Sequence, residues 1–491
     1  MNVGALPEHA LQRLGNHDMV ECDGLVHQLA SLVDRSARVA AALQASGVAP
    51  GDRVGVVMAN SPEVLVASFA IWRAGAAVLP VIPAVTAGEL AHILTDSGAR
   101  AVFASPATAE LVAAAATDQL LLGNGTAVDF TQLESAEPAA VVARRDEDLA
   151  ALLYTGGTTG RAKGVMLTSA NLWATSYARQ QVVEAAGTRS VLLPLPMSHV
   201  FGLINGLSRL HVSRPGTLHL MSRFDPARFL DLVASRRIEA AAVVPSMLQM
   251  LLAEPLEDYD LSSLTYVTSG GSPLAPAVRA EFERRVPTAR VCDGYGCTEV
   301  TSTATMNPPD ARRDGSVGKP LPGVQVRIES PTGEVLPAAI DGEVCVASPG
   351  VMAGYWQDAD ATSAVVVSGW LHTGDIGHLD EDGYLVVVDR SKDLIIRGGF
   401  NVYPRDVEDV LLQHPAVAAA AVVGRPDPLL GEEVVAFVSV NAVVDADELL
   451  AFAAQRLAKT KHPREVRIVP AVPLTSVGKT DRKAVRRLLG S

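Results

Sequence analysis

The run Tyr154-Thr-Gly-Gly-Thr-Thr-Gly-Arg-Ala-Lys-Gly164 gathers glycines, three threonine hydroxyls and the Lys163 ammonium directly after an apolar, strand-like stretch. Glycines let backbone N–H groups turn toward an anion, the Thr155, Thr158 and Thr159 hydroxyls can donate to phosphate oxygens, and Lys163 adds a mobile positive charge. The same residues also read as an ordinary Gly/Thr surface turn. A Walker ATPase is disfavoured: Lys163 follows Ala162 rather than glycine, and Gly478-Lys479-Thr480 has Pro473 where that motif needs its first glycine. Cys292 and Cys297 lack C-x-x-C spacing and have no histidine beside them, so they are expected as buried small hydrophobes rather than metal ligands.

A chain of 491 residues exceeds one typical core, so two or more domains are expected. Helices feeding short apolar strands recur: Ser31 to Ser46 into Arg53 to Met58, Glu63 to Gly75 into Ala77 to Val81, Ala87 to Ser97 into Arg100 to Ala104, and Arg228 to Arg236 into Ala240 to Val244. That alternation predicts an α/β fold of helix-covered, mostly parallel sheets. From Val324 the texture turns β-rich, with strands expected at Gln325 to Glu329, Gly342 to Ala347 and Gly383 to Val388. After Asp389 a charged segment, Arg390-Ser-Lys-Asp393, precedes a tail long enough for a small α+β domain. The expected division is 1–389 (β-rich part 324–389), a hinge at 390–393, and 394–491. The Ala-rich patches Ala113 to Ala116 and Ala418 to Ala421 are expected in the core.

A net charge of −13 argues against nucleic acid as a partner, so phosphate recognition must be local. The richest apolar segment, Val54 to Val85, is broken by Asn60, Ser61, Pro62, Glu63 and Arg73, which excludes a membrane span there. Met1 to Ala10 lacks a secretory pattern, and four scattered cysteines suit a reducing compartment, so a cytoplasmic protein is expected.

The glycine-threonine run resembles the signature of adenylate-forming enzymes, the superfamily of acyl-CoA synthetases, peptide-synthetase adenylation domains and luciferases. Gly156 stands where serine is usual and Ala162 where proline is usual; the hydroxyls and Lys163 remain. Further motifs of that family follow in order from about Leu25 to the C-terminus. Pro194-Leu-Pro-Met-Ser-His199 resembles the histidine motif at the substrate carboxylate. Ser269-Gly-Gly-Ser-Pro-Leu274 resembles the adenine slot, with Gly270, Gly271 and Ser272. Asp293-Gly-Tyr-Gly-Cys-Thr-Glu299 resembles Y-G-x-T-E. The resemblance implies that Asp293, Gly294 and Tyr295 line the adenine, Thr298 donates to the α-phosphate, and Glu299 holds Mg²⁺. Trp370-Leu-His-Thr-Gly-Asp375 resembles the ribose motif, with Asp375 accepting both hydroxyls, Arg390 adding a contact and Lys392 at the hinge position. Arg397-Gly-Gly-Phe-Asn-Val-Tyr-Pro404 resembles the pantetheine loop, with Gly398 and Gly399 in its passage, and Pro473 to Lys479 resembles the motif whose lysine reaches the active site.

The resemblance implies ATP-dependent activation of a carboxylic acid as acyl-AMP, with Gly156, Gly157, Thr155, Thr158, Thr159 and Lys163 on the phosphates, and then transfer to a thiol. Coenzyme A is the first acceptor; the phosphopantetheine of a carrier protein is the alternative, as in a stand-alone acyl or β-amino-acid adenylation enzyme. A luciferase-like oxygenase or an inactive binding relative is the alternative of another class. The family's acyl pocket maps to Phe201, Asn205, Gly206, Val244, Gly296 and Thr301. Val200 to Leu207 contains no acid for an α-ammonium, and Asp293-Gly294 stands where malonate-activating relatives carry arginine. An unpaired buried charge costs several kcal/mol, so an acid with an uncharged tail is favoured. Asp293 leaves a β-amino acid open.

Overall fold

The structure is a computed structural model describing residues 2–126, 128–155, 162–390, 393–398, 400–475 and 479–490, with the backbone alone at 390 and 401. The α/β alternation appears as two large sheets, one of nine and one of seven strands, an antiparallel five-stranded sheet and a separate five-stranded C-terminal sheet. In the nine-stranded sheet Arg290–Tyr295, Tyr266–Ser269, Ala240–Val243, Ser190–Leu193, Thr217–Leu220 and Asp18–Cys22 run parallel. The seven-stranded sheet sets Leu149–Thr155 parallel to Ala77–Pro80 and pairs it antiparallel with Lys163–Thr168. No described helix is long and apolar enough to cross a membrane.

Register explains where the motifs meet. Val243 is level with Ser269, and Ser269 with Asp293, so the residues that follow them, Val244, Gly270 and Gly294, line up along one carboxyl edge. Such an edge is where open α/β sheets bind ligands, because the loops that leave it diverge.

The helix Ala87–Ser97 has the expected bounds, and Leu29–Ala45, Pro62–Arg73 and Pro226–Arg236 differ from expectation by a few residues at their ends. Gln325–Glu329 and Gly342–Ala347 are as expected, whereas the third strand is Leu385–Arg390, because Gly383, at φ 81, is spent in the turn before it. The ten-residue strand Trp370–Leu379 is absent from the sequence reading: its Gly374, Asp375 and Gly377 hide the alternation. The Ala-rich patches are only partly core. Ala115 and Ala421 are buried while Ala113, Ala114 and Ala418 are exposed, since each element turns one side to solvent. Cys292 is buried and its thiol is pushed up to about 12 by burial, which suits a small hydrophobe; Cys297 is half-buried.

Candidate active site

The threonine-lysine loop leaves from a hairpin. Thr155 pairs with Lys163 across its two strands, so both sit at its mouth. Gly156, Gly157, Thr158 and Thr159 lie outside the described residues. The Lys163 ammonium lies 4.9 Å from the centre of the Tyr355 ring and 3.9 Å from Asp358. Tyr355 belongs to the two-residue strand Gly354–Tyr355, which adds to the outer side of the Lys163 strand; Ala353 N–H donates to Met166 O at 2.9 Å and Trp356 N–H to Gly164 O at 2.7 Å. The Tyr355 phenol then donates to Glu299 Oε1 at 3.0 Å.

Glu299 sits in a single 3-10 turn, Thr298–Val300, closed by Thr301 at φ 58 and Ser302 at φ 89. These are left-handed conformations that β-branched residues adopt only under constraint. The constraint is visible: Thr301 is fully buried and its hydroxyl donates to Gly350 O at 2.6 Å. Gly296 is required beside this turn, since a Cβ there would stand 1.9 Å from Ser302 O.

His199 caps the helix Val200–Ser208, its Nδ1 accepting the Phe201 N–H at 3.2 Å. An accepting Nδ1 puts the proton of a neutral imidazole on Nε2. Burial pushes this imidazole down to about 4, and the Lys479 charge adds to the shift. Lys479 comes from the C-terminal domain, on a short pairing of Leu474 with Thr480 in which Lys479 O accepts from Thr475 N–H at 2.7 Å. It reaches Gly271: a Cβ there would lie 3.4 Å from Lys479 Cε and 3.9 Å from Nζ, and φ at Gly271 is +84. Gly270 is equally close to Phe201 and to Gly294 O, both 3.3 Å from a Cβ placed on it.

Tyr295 and Asp375 meet across the two sheets, the phenol donating to the carboxylate at 2.6 Å. Asp375 is buried and stands opposite Arg390 in the strand register. The Asp293 carboxylate is taken by the Arg279 guanidinium at 2.8 Å, so it is not waiting for a substrate ammonium.

The structure therefore brings Lys479, His199, Gly270, Gly271, Val244, Phe201 and Gly294 to one crevice, with Tyr295 and Asp375 joined at its side and Lys163 linked through Tyr355 to Glu299. Two residues expected at the acyl pocket have other neighbours in the structure. Gly206 faces Met197, whose Cε would lie 3.0 Å from a Cβ there, because it sits on another side of its helix from Phe201 and Asn205; Thr301 spends its hydroxyl on Gly350. Gly398, at φ 59, turns a hairpin of the C-terminal domain and its N–H donates to Leu430 O at 2.7 Å. Lys392, Gly399 and the Arg390 side chain are outside the described residues. Sequence reasoning missed Tyr355 and Arg279; an aromatic in Gly354-Tyr-Trp and an arginine on a helix carry no motif, and only the fold places them.

The model of the AMP-binding enzyme family matches residues 8–356, and that of the AMP-binding enzyme C-terminal domain matches 406–479. The chain is 37% identical to feruloyl-CoA synthase of Amycolatopsis sp, over 99% of each chain. It is 35% identical to the long-chain-fatty-acid–CoA ligase of Salmonella typhimurium, over 98% of this chain and 93% of that one. The crystal structure of ATP-bound MatB from Rhodopseudomonas palustris superposes with a TM-score of 0.91 at 34% identity, covering 99% of each chain. With motifs, crevice and both family models in agreement along its length, the chain belongs to the AMP-binding enzyme family and is an adenylate-forming acid–thiol ligase.

Proposed function

We propose that the protein joins a carboxylic acid to coenzyme A through an acyl-adenylate, in two half-reactions at this crevice. In the first, a carboxylate oxygen attacks the α-phosphorus of ATP, the P–O bond to pyrophosphate breaks, and acyl-AMP forms. The barrier is the approach of two anions, which a positioned cation lowers. Lys479 supplies that cation. His199, kept neutral by burial, donates its Nε2–H to the carboxylate without adding a second charge. Thr298 donates to the α-phosphate, and Thr155, Gly156, Gly157, Thr158, Thr159 and Lys163 hold the outer phosphates. Gly270, Gly271, Ser272, Gly294 and Tyr295 frame the adenine, with Asp375 and Arg390 on the ribose and Asp293 acting through its backbone.

Glu299 fits a magnesium ion that arrives with the nucleotide: it offers a hard carboxylate oxygen, oriented by Tyr355, beside the cationic hairpin mouth. Bound there, Mg²⁺ supplies charge neutralisation to phosphate oxygens.

In the second half-reaction the C-terminal domain turns about Lys392, within a 390–393 hinge, and Lys479 gives way to the Gly398-Gly399 loop. Ile396, Phe400 and Leu430 stand 53, 60 and 37% exposed around that loop, an apolar face suited to covering a crevice. The thiol sulfur attacks the acyl carbon, the C–O bond to AMP breaks, and the thiol proton leaves to solvent. The neighbourhood of the reacting carboxylate is apolar (Phe201, Val244), so the carbons next to it are apolar too. ATP and coenzyme A as substrates argue for work in the cytoplasm.

The seating of Lys479 against Gly271 and its effect on His199 carry this reading most directly. The test is to supply ATP, Mg²⁺, coenzyme A and a panel of acids, following pyrophosphate and free thiol together. Equal release and consumption is expected. Pyrophosphate without loss of coenzyme A thiol, but with acylation of a phosphopantetheinylated carrier protein, would move the acceptor; acylation of neither would end the ligase reading after its first step.

A further inference from the structure

The helices Ser169–Val183 and Val200–Ser208 do not fully cover the nine-stranded sheet beneath the crevice. Between them and the sheet lies a cleft with a cavity of ≈ 30 Å³, floored by Ala240, Ala241 and Ala242, whose small side chains leave it open. Two arginines line it, Arg179 and Arg209, only 5 and 7% exposed. Among the described residues neither forms an ion pair, and Nε of both, Gln180 Oε1 and Thr268 Oγ1 are buried without a hydrogen-bond partner.

The surroundings give Arg179 no carboxylate, whereas Arg209 has Glu184 and Glu239 in its field. Arg179 has Arg209 and the Tyr266 hydroxyl as its charged or titratable neighbours, and burial pulls its guanidinium down to about 10. Arg209 donates to Arg189 O at 3.1 Å. The carboxylates nearest Arg209 are engaged elsewhere: Glu184 accepts from Gln180 and Ser213, and Glu239 from the Arg189 and Ser190 amides. A buried guanidinium that has a second guanidinium beside it and no carboxylate of its own opposes folding, so Arg179 persists where an anion completes the pair.

The cleft lies below the crevice along one helix. Phe201, Asn205 and Arg209 recur every four residues and so descend one side of the helix that begins at His199. Phe201 stands at Gly270, Asn205 lines the cleft one turn below, and Arg209 follows at roughly 12 Å from Phe201 at about 1.5 Å per residue.

We propose that this cleft is the far end of the acyl channel and receives a second anionic oxygen group of the substrate acid, a distal carboxylate, which Arg179 and Arg209 hold. The inference rests on the ligase reading and narrows its substrate class to acids charged at both ends, with an apolar middle. It departs from the uncharged tail expected from sequence because Arg179 lies upstream of the histidine motif and Arg209 two residues beyond the Val200 to Leu207 stretch.

The test uses the full-length enzyme with ATP, Mg²⁺ and coenzyme A. Pyrophosphate release is measured for α,ω-dicarboxylates of about six to twelve carbons, their monomethyl esters and monocarboxylates of equal length. The best dicarboxylate should exceed its monoester in kcat/KM by roughly tenfold or more. Arg179→Met should lower that ratio on the order of 10²-fold, since truncating one partner of a buried charge pair is costly, and Arg179→Lys should restore part of it. Arg209→Met provides a second, independent variant. The same dicarboxylate should raise the wild-type melting temperature and leave that of Arg179→Met unmoved. Dicarboxylates that never outrun their monoesters, or a ratio indifferent to both methionine variants, would overturn the distal site while monocarboxylate turnover leaves the ligase standing. Pyrophosphate release with no acid at all would instead sink the ligase reading.

Discussion

The Tyr295 phenol donates to the Asp375 carboxylate at 2.6 Å, tying the last parallel strand of the nine-stranded sheet to the longest strand of the antiparallel one. Burial and the nearby carboxylate push the phenol's pKa well above its ordinary value, so it remains a donor throughout the working pH range. The position proposed for adenine is thereby fixed relative to that proposed for ribose.

Tyr295→Phe removes this one hydrogen bond and should raise the KM for ATP by a few-fold, in keeping with about 1 kcal/mol for such a bond. Asp375→Ala removes the proposed ribose acceptor as well and should cost on the order of 10²-fold in kcat/KM for ATP. Steady-state kinetics at saturating acid separates the two, and equal effects would contradict the assignment of Asp375 to the ribose.

Lys479→Ala should slow pyrophosphate release by roughly 10²–10³-fold, the worth of a positioned oxyanion partner. Thioester formation from supplied acyl-adenylate should be spared, because the proposal gives Lys479 a part in the first half-reaction alone. Loss of both halves to the same degree would assign Lys479 to structure.

His199 gives a pH signature. Its imidazole falls from 6.5 to about 4 on folding, so the unfolded chain takes up the proton first as pH drops. The associated stability is complete above about pH 6.5 and is lost as pH falls toward 4, at most about 3 kcal/mol for such a shift. His211, pushed down to about 4 by burial and Arg13, acts in the same direction. Urea unfolding at pH 5 and 7 should therefore show a smaller loss in His199→Gln than in wild type. In Lys479→Ala the His199 imidazole should titrate higher, which NMR can read; an unmoved titration would mean that the lysine charge is not felt there.

Tyr355→Phe should raise the magnesium concentration needed for half-maximal pyrophosphate release by a few-fold, since Glu299 loses the donor that orients it. Unchanged magnesium dependence would place the metal elsewhere.

Elements whose chemistry is local were legible from sequence. Periodic apolar residues located Ala87–Ser97, exposed on one side and buried on the other. Partnerships between distant segments were not. The Arg279–Asp293 pair spans 14 positions and Tyr355–Glu299 spans 56, and no short pattern encodes either. Trp370–Leu379 was hidden for a different reason: its ribose-motif glycine and aspartate disfavour strand, and pairing on both sides overrides that preference. The arginines of the lower cleft fell outside every motif, and only the register of helix against sheet brings Arg179 from one helix to the same cavity as Arg209 at the end of the next.

The short strand Gly354–Tyr355 makes the sites proposed for phosphate and for magnesium into one thermodynamic object. Its flanking amides grip the Lys163 arm of the hairpin at Met166 and Gly164, and its phenol grips Glu299. A displacement of that arm by bound phosphate is transmitted to the carboxylate through one residue, with no chain of intermediates between them. Linkage then demands reciprocity: whatever factor the nucleotide adds to the cation's affinity, the cation returns to the nucleotide.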